Sequence, residues 1–581
     1  MGTRCKILID NTQLSLSDWR CFTIKVSLGI HVGHDRGVAL IKDGIVIGAI
    51  GQERIDRVKF SSSSKIPIES IDILLKYCGL SIENVSCIGI SYHSVEGLSV
   101  ERFYKDELDE NFKCGHIPMF FVPHHVAHAY SAFFSSGFDD AIVFVADGAG
   151  DYINGMQEAE SLFVAHNNNV EVVDRRLQNP TVGKLIDERN YLLPYMPSFI
   201  QDYEISLGKK FSQITHLIGL GRNGEGKTMG LSGYGTPLFD FNPYKKGDFL
   251  KFSLKYKDLI EEIFAIRVLS GKSHKEFIKE ECANIASTLQ LMLENIVLDL
   301  LNDILNLYHH KKLVLSGGIF LNCLLNGKIA RKFALDDFFV LPPSGDDGQA
   351  LGAAYYAYVK HFGAQDKFEI SLPYLGISYK DHQITDIIEN ANLPYKALTE
   401  DQLVEEIACR ILANKVVALH RGRTEMGPRA LCHRSILANP QNPNIKDILN
   451  FKVKHREPFR PFAPTVIAEE QFKYFDLKFE SKYMNIAATV KEEYRHQLPG
   501  ITHIDGTSRV QALSAEAEPF VHKLLMTLKQ KSGFPIVVNT SFNVNGEPIV
   551  ESPFDAIATF LKTQIDTLVI ENYMIDKDEI A

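Results

Sequence analysis

A chain of 581 residues exceeds what one hydrophobic core normally organises, so two or more domains are expected. Its 45% apolar and 23% charged residues are those of an ordinary globular chain, and a formal net charge of -10 argues against bulk attraction to nucleic acid or anionic membrane. Nine scattered cysteines without a CxxC pair speak against a disulfide framework or Cys-rich zinc site and fit a reducing cytoplasm, and no apolar run approaches the length of a membrane span.

Residues 1–24 are polar and mixed in charge, lack the pattern of a signal peptide, and are expected to be an N-terminal extension. Val26 to Ile30 predicts a strand, His34 to Gly37 a polar turn, Val38 to Ile41 a second strand and Lys42-Asp43-Gly44 a hairpin. The pattern recurs with a strand at Ile142 to Val145, a turn at Asp147-Gly148-Ala149-Gly150 and a hairpin at Asn167 to Asn169. Two copies of strand, acidic turn and strand predict a duplicated α/β domain whose turns face each other across a cleft. Ile285, Leu289, Leu293, Ile296, Leu300, Ile304 and Leu307 recur at spacings of three and four, predicting one long helix. It leads to a strand at Lys312 to Leu315, a Gly-Gly turn and a further helix over Gln349 to Val359. Residues 365–372 are expected to link residues 25–364 to a second domain, 373–581, with strands at Val416 to Leu419 and Pro535 to Val538.

The stretch VPHHVAHAYSAFF places His124 and His128 four residues apart, on one face of an alanine-rich helix. Two imidazoles at that spacing suit one metal ion but need further ligands. Asp147, and either Asp346 or Asp347 in SGDDGQALGAA, are the candidate carboxylates in Gly-rich turns. A His/His/Asp/Asp set suits iron(II) first, with manganese or zinc as alternatives. His125 points about 100° away and is expected to touch substrate or to pack.

Three Gly-rich stretches could let a phosphate approach the backbone: Gly224 to Gly230 with Lys227, Ser316-Gly317-Gly318 running to Asn322, and Gly345 to Gly352. None has Walker A spacing; each alone reads equally as a tight turn. From His420 to Arg460 lie nine cationic residues (Arg421, Arg423, Arg429, Arg434, Lys446, Lys452, Lys454, Arg456, Arg460) against Glu425, Asp447 and Glu457. Interleaved prolines and glycines argue against a solvated helix face, so a polyanion site is expected for a nucleotide, carbamoyl phosphate or RNA. Arg509, Asn539, Ser541 and Asn543 are further candidates for phosphate or carbonyl contacts.

These stretches together (HDRGVALIKDG, HHVAHAYSAF, DGAGD, GEGKTMGLSGYG, SGGIFLN, GDDGQALGAA, GRTEMGPRALCHRSILA, KVKHREPFRPFAP, DGTSRVQ and NTSFNVNGEPIV) resemble the O-carbamoyltransferases acting on nodulation factors, antibiotics and saxitoxin-type toxins. The resemblance implies an α/β fold: a duplicated actin-like (ASKHA) N-terminal domain, similar to that of the tRNA threonylcarbamoyl-transfer machinery, and an α/β YrdC-like C-terminal domain. It implies that carbamoyl phosphate and ATP, with Mg2+, give carbamoyl adenylate and pyrophosphate in the second domain. The carbamoyl group then passes to a small-molecule hydroxyl, a saxitoxin-type precursor among the expected acceptors, at the metal in the first.

By the same resemblance, His124, His128, Asp147 and Asp346 hold the metal, and His34 is the general base, its pKa expected near neutrality. Lys59, Arg429, Lys454, Arg460, Arg509 and Ser541 handle carbamoyl phosphate or the adenylate, joined by Arg423, Arg456, Asn539 and Asn543 as candidates. Lys227, Gly317, Gly318 and Asn322 serve nucleotide in the first domain. A homodimer is compatible with this reading; nucleic-acid and membrane partners are not expected. The turn reads HDRGVA where the family has HDAS-A, and Arg36 is expected to reshape the acceptor pocket or to contact an anionic acceptor. Rival readings are a tRNA-modifying carbamoyl enzyme, an actin-like sugar kinase and a non-catalytic ATP-binding module.

Overall fold

The computed structural model describes residues 24–93, 99–180, 202–363, 368, 370 and 373–580. All but Ile24 of the expected extension at 1–24, and most of the expected linker, lie outside them.

The first sheet is built from β1 (Val26–Val32), β2 (Gly37–Lys42), β3 (Ile45–Gly51), β4 (Cys87–Tyr92) and β5 (Met119–Val122), ordered β3-β2-β1-β4-β5. β1 pairs antiparallel with β2 and parallel with β4. The second sheet repeats the scheme with β6 (Asp140–Ala146), β7 (Tyr152–Ile153), β8 (Met156–His166), β9 (Asn169–Gln178), β10 (Lys312–Ser316) and β11 (Asp337–Val340). β6 takes the place of β1, antiparallel to β8 and parallel to β10, with β9 beyond β8 and β11 beyond β10. Strand ends that carry turns in one sheet therefore have counterparts in the other.

Between the sheets run two helices with unusually close backbones. In the Gln349–Phe362 helix, a side chain at Gly29 of β1 would lie 2.0 Å from the Ala350 carbonyl oxygen, and one at Gly89 of β4 would lie 2.0 Å from that of Ala353. On its other flank a Cβ at Gly352 would fall 1.8 Å from the Ala127 carbonyl oxygen of the His124–Ser136 helix. Only glycine permits these crossings.

The predicted long helix runs His274–Tyr308 and starts at a Ser273/Glu276 capping box. Ile285, Leu289, Leu293, Ile296, Leu300 and Ile304 are fully buried; Leu307 is exposed, because the last turn runs past the edge of the core.

The C-terminal half is organised around an eight-stranded sheet, in which Val417–His420, Arg434–Ala438, Ile536–Ser541 and Ala463–Ile467 are successive neighbours. Two flanks join the halves. On one, Arg54 donates to Gly427 O (2.9 Å), Arg57 to Ile549 O (2.7 Å) and Pro548 O (3.1 Å), and Arg423 to Ile47 O (2.8 Å). On the other, Lys227 pairs with Glu457 at 2.8 Å, and Asn326 donates to Asn485 O at 2.7 Å.

Candidate active site

His124 and His128 enter from the first two turns of their helix, Asp147 from the turn after β6, and Asp346 from the turn before the Gln349–Phe362 helix. Their ligand atoms all lie within 4.8 Å of one another. His124 Nε2 is 3.2 Å from Asp147 Oδ2 and 3.3 Å from Asp346 Oδ1; His128 Nε2 is 3.7 Å and 3.3 Å from the same oxygens. Against the burial that opposes charge, the Asp346 and Asp147 carboxylates raise His124 to about 10 and also raise His128. Burial is outweighed in the same way for Asp147 and Asp346, which the histidines hold well below the carboxylate range. Two imidazoles facing two carboxylates are the donor set of a divalent transition-metal site, in which the ion takes the place of the imidazole protons.

The adjacent carboxylates of the turn have opposite surroundings. Burial, then the negative charges of Asp35, Glu53 and Asp346, pushes Asp347 well above its usual range, so Asp346 alone joins the set. His125 packs: it is fully buried, with Nδ1 2.7 Å from Ser161 Oγ.

Three residues at this centre were not found by motif. Gln349 has its amide nitrogen 2.7 Å from His124 Nε2, 3.1 Å from His128 Nε2 and 3.0 Å from Asp346 Oδ1, while Ser91 donates to its oxygen. His93, just past β4, lies with Nε2 3.1 Å from Asp346 Oδ2 and stacks on His124 at 4.1 Å between ring centroids. His31 places Nε2 3.0 Å from His34 O and 3.9 Å from Asp346 Oδ2; burial lowers it to about 3, keeping it neutral. Gln349 had a signal, three residues after Asp346 where a helix begins. His31 and His93 stand singly at strand ends and had none.

His34 does not keep an ordinary near-neutral pKa. Its Nδ1 lies 2.6 Å from Asp35 Oδ2, and this hydrogen bond raises it to about 9. Arg36, adjacent, is turned away from this centre toward Asp56, Ser61 and Lys65.

A second centre gathers cations from both halves. Lys59, Arg429, Lys454, Arg456, Arg460 and Arg509 lie close enough to feel one another's charge. Burial, with neighbouring cations adding to it, lowers Arg429 and Arg456 to about 9. A guanidinium remains charged at neutral pH even so, and an anion is what relieves such crowding. Glu457 already serves Lys227 and lies 3.6 Å from Arg460.

Lys454 ends a π-helical stretch, Ile448–Lys454, and is buried. Its ammonium donates to Ser541 O, to Ser541 Oγ at 3.1 Å, and to the main-chain oxygen (3.0 Å) and Oδ1 (2.8 Å) of Asn543. Cys323 and Arg509 share a narrow crevice between the halves with Met229, Leu324, Pro461 and Ala487.

Several candidates are placed elsewhere. Arg423 donates its guanidinium to the carbonyls of Gly376, Ile47 and Leu375, which ties it into the joint between the halves. Asn539 is buried in a network with Thr465, Gln511 and Cys432. Asn322 caps the Cys323–Lys332 helix and bonds Gln290. Gly317 turns at φ +100 where a Cβ would meet Ala146 O at 2.2 Å, and Gly318 N donates to Asp147 Oδ1 at 2.9 Å. That turn thereby holds the carboxylate that faces His124 and His128.

Comparison with known proteins identifies the family. The family profiles Carbamoyltransferase N-terminus and Carbamoyltransferase C-terminus match residues 93–355 and 408–577. The nodulation protein NolNO of Sinorhizobium fredii is 31% identical over 574 residues, covering 94% of this chain and 79% of that one. The 3'-hydroxymethylcephem-O-carbamoyltransferase of Amycolatopsis lactamdurans is 34% identical over 259 residues, 44% of this chain and 47% of that one. Among solved structures, full-length HypF in its phosphate- and nucleotide-bound form is only distantly alike, with 17% identity and a TM-score of 0.41 over 59% of this chain and 56% of that one. With both family profiles matched and a relative aligned along nearly its whole length, the chain belongs to the carbamoyltransferase family of enzymes.

Proposed function

We propose that the protein is an ATP-dependent O-carbamoyltransferase with two chambers, an actin-like domain at 25–364 and a YrdC-like domain at 373–581. The observation that carries the reading is the cationic centre: six side chains from both halves crowd together, and among the described residues only Glu457 comes within ion-pair distance of one of them, Arg460 at 3.6 Å. Such a centre is built for a ligand with several negative charges, as carbamoyl phosphate and ATP are.

The atoms balance in two steps. Water releases phosphate from carbamoyl phosphate, leaving carbamate. The carbamate oxygen then displaces pyrophosphate from ATP, giving carbamoyl adenylate. Arg429, Arg456, Arg460 and Arg509 neutralise the departing phosphates, and Lys454, held by Ser541 and Asn543, fixes one position within the group.

His124, His128, Asp147 and Asp346 would hold a divalent ion, iron(II), manganese or zinc, which when bound acts as a Lewis acid toward the carbamoyl or phosphate oxygen. His34 takes the proton of the acceptor hydroxyl as that oxygen bonds the carbamoyl carbon and AMP leaves. Asp35 holds the His34 ring and stabilises the imidazolium formed. The acceptor is a small-molecule hydroxyl, as the name of the cephem relative describes for that protein; a saxitoxin-type precursor is one candidate.

Incubating the enzyme with ATP, carbamoyl phosphate and a panel of hydroxylated natural products tests this by mass spectrometry. A gain of one carbamoyl unit with AMP and pyrophosphate is expected. Formation of ADP, or nucleotide turnover indifferent to carbamoyl phosphate, would sink the reading and favour a kinase.

A further inference from the structure

Arg36 interrupts the base turn, and from sequence it was expected to reshape the acceptor pocket or to contact an anionic acceptor. Its guanidinium goes the other way. Nη2 donates to Ser61 Oγ at 2.9 Å and to Asp56 Oδ2 at 3.4 Å, and Nη1 donates to Lys65 O at 3.3 Å. Asp56 Oδ2 also receives the Ser61 hydroxyl at 2.5 Å. The main chain follows the same path: Arg36 N donates to Ser61 O at 3.2 Å, Gln52 N to Arg36 O at 2.8 Å, and Ser63 N to Gly33 O at 2.9 Å. Residues 57–63 therefore lie as a strap across the 33–36 turn.

The strap carries one residue toward each centre. Phe60 stacks on His34, with centroids 5.9 Å apart and planes 19° from parallel. It sits at φ +57, a conformation a phenylalanine keeps only when its surroundings enforce it. Here Glu53 helps, accepting from Phe60 N at 3.0 Å. Lys59, the preceding residue, belongs to the cationic centre, and its ammonium lies 5.2 Å from the Phe60 ring centroid.

We infer that Arg36 is a positioning residue that clamps the 57–63 strap, setting Lys59 against the carbamoyl donor and Phe60 against His34 as one unit. The proposed function supplies what Lys59 binds; the clamp stands on geometry alone. It makes the acceptor side and the donor side mechanically dependent through a single side chain. An Arg36 that only touched acceptor would leave donor chemistry alone.

Carbamoyl phosphate-dependent ATP–pyrophosphate exchange contains no acceptor and separates the two roles. Wild type, Arg36→Ala and Arg36→Lys are compared by this exchange and by hydrogen–deuterium exchange of residues 57–63. For Arg36→Ala, kcat/KM for carbamoyl phosphate should fall about 10- to 100-fold, the scale expected when a binding group is misplaced by about 1 Å. The strap amides should exchange faster at the same time. Arg36→Lys should be intermediate, since an ammonium can pair with Asp56 but cannot also span Ser61 and Lys65. It also serves if the alanine variant does not fold. Both changes are required, and either one without the other overturns the clamp. Should wild type show no exchange at all, the proposed donor chemistry fails, and the deuterium measurement alone decides the clamp.

Discussion

Charge at single residues decides what each centre can do. His34 is raised to about 9 by Asp35, so it is protonated at neutral pH and becomes a base as pH rises through that value. Carbamoyl transfer should accordingly increase up to about pH 9. Asp35→Asn removes the partner, and the rising limb of the transfer rate should move toward the ordinary imidazole value near 6.5 or lower. A limb that stays near pH 9 in this variant would assign the base to another group. His93 and Asp346 permit a test that needs no substrate. Because His93 orients the oxygen of Asp346 opposite the metal-facing one, His93→Ala should weaken metal affinity about 10- to 100-fold by titration of the metal-free protein, with His93→Gln recovering part of it. The helical spacing of His124 and His128 was legible directly. The sequence could not choose between Asp346 and Asp347, because that choice depends on which carboxylate the turn aims at the histidines and which it buries among Asp35 and Glu53.

Elements were the most legible level. Both acidic turns, both hairpins and the long buried helix lie where periodicity and turn residues put them. The exposed Leu307 shows the limit: periodicity carries on to the end of a helix, whereas burial stops at the edge of the core. The crossings at Gly29, Gly89 and Gly352 were hidden, since a glycine in a strand or helix does not reveal which backbone approaches it. Gly352→Ala should be severely destabilising, by at least about 3 kcal/mol, because its Cβ meets a carbonyl oxygen rather than a flexible side chain. Chemical denaturation measures this directly; a near-neutral result would mean that the helices can separate. The π-helical stretch ending at Lys454 was equally unreadable, as one extra residue in a turn leaves no compositional mark.

Across the whole molecule, one flank between the two halves is tied by arginines that donate to main-chain oxygens: Arg54, Arg57 and Arg423. This explains why the basic block divides into two sets by direction, which composition could not convey. Arg429, Lys454, Arg456 and Arg460 join the cationic centre, whereas Arg423 closes the joint and Arg434 is buried within the C-terminal half. Removing Arg423 takes its guanidinium away from the Gly376 and Ile47 carbonyls, at a cost of about 1–3 kcal/mol per orphaned group, while Leu375 O keeps the Ala49 amide. Arg423→Met should therefore lower the melting temperature by several degrees in calorimetry while leaving the KM for carbamoyl phosphate unchanged. A raised KM at wild-type stability would return Arg423 to the anion site.

The glycine crossings also bear on which ions the His/Asp centre admits. Asp346 stands at the foot of a rod wedged between β1, β4 and the helix that bears His124 and His128, with backbone against backbone at three glycines. Such a frame works as a caliper of fixed gauge. First-row ions, with bonds of about 2.0–2.2 Å to nitrogen and oxygen, suit a narrow gauge, whereas calcium, at about 2.3–2.6 Å, would have to spread backbones that already touch. Discrimination by radius would then reside in three glycines that never contact the ion.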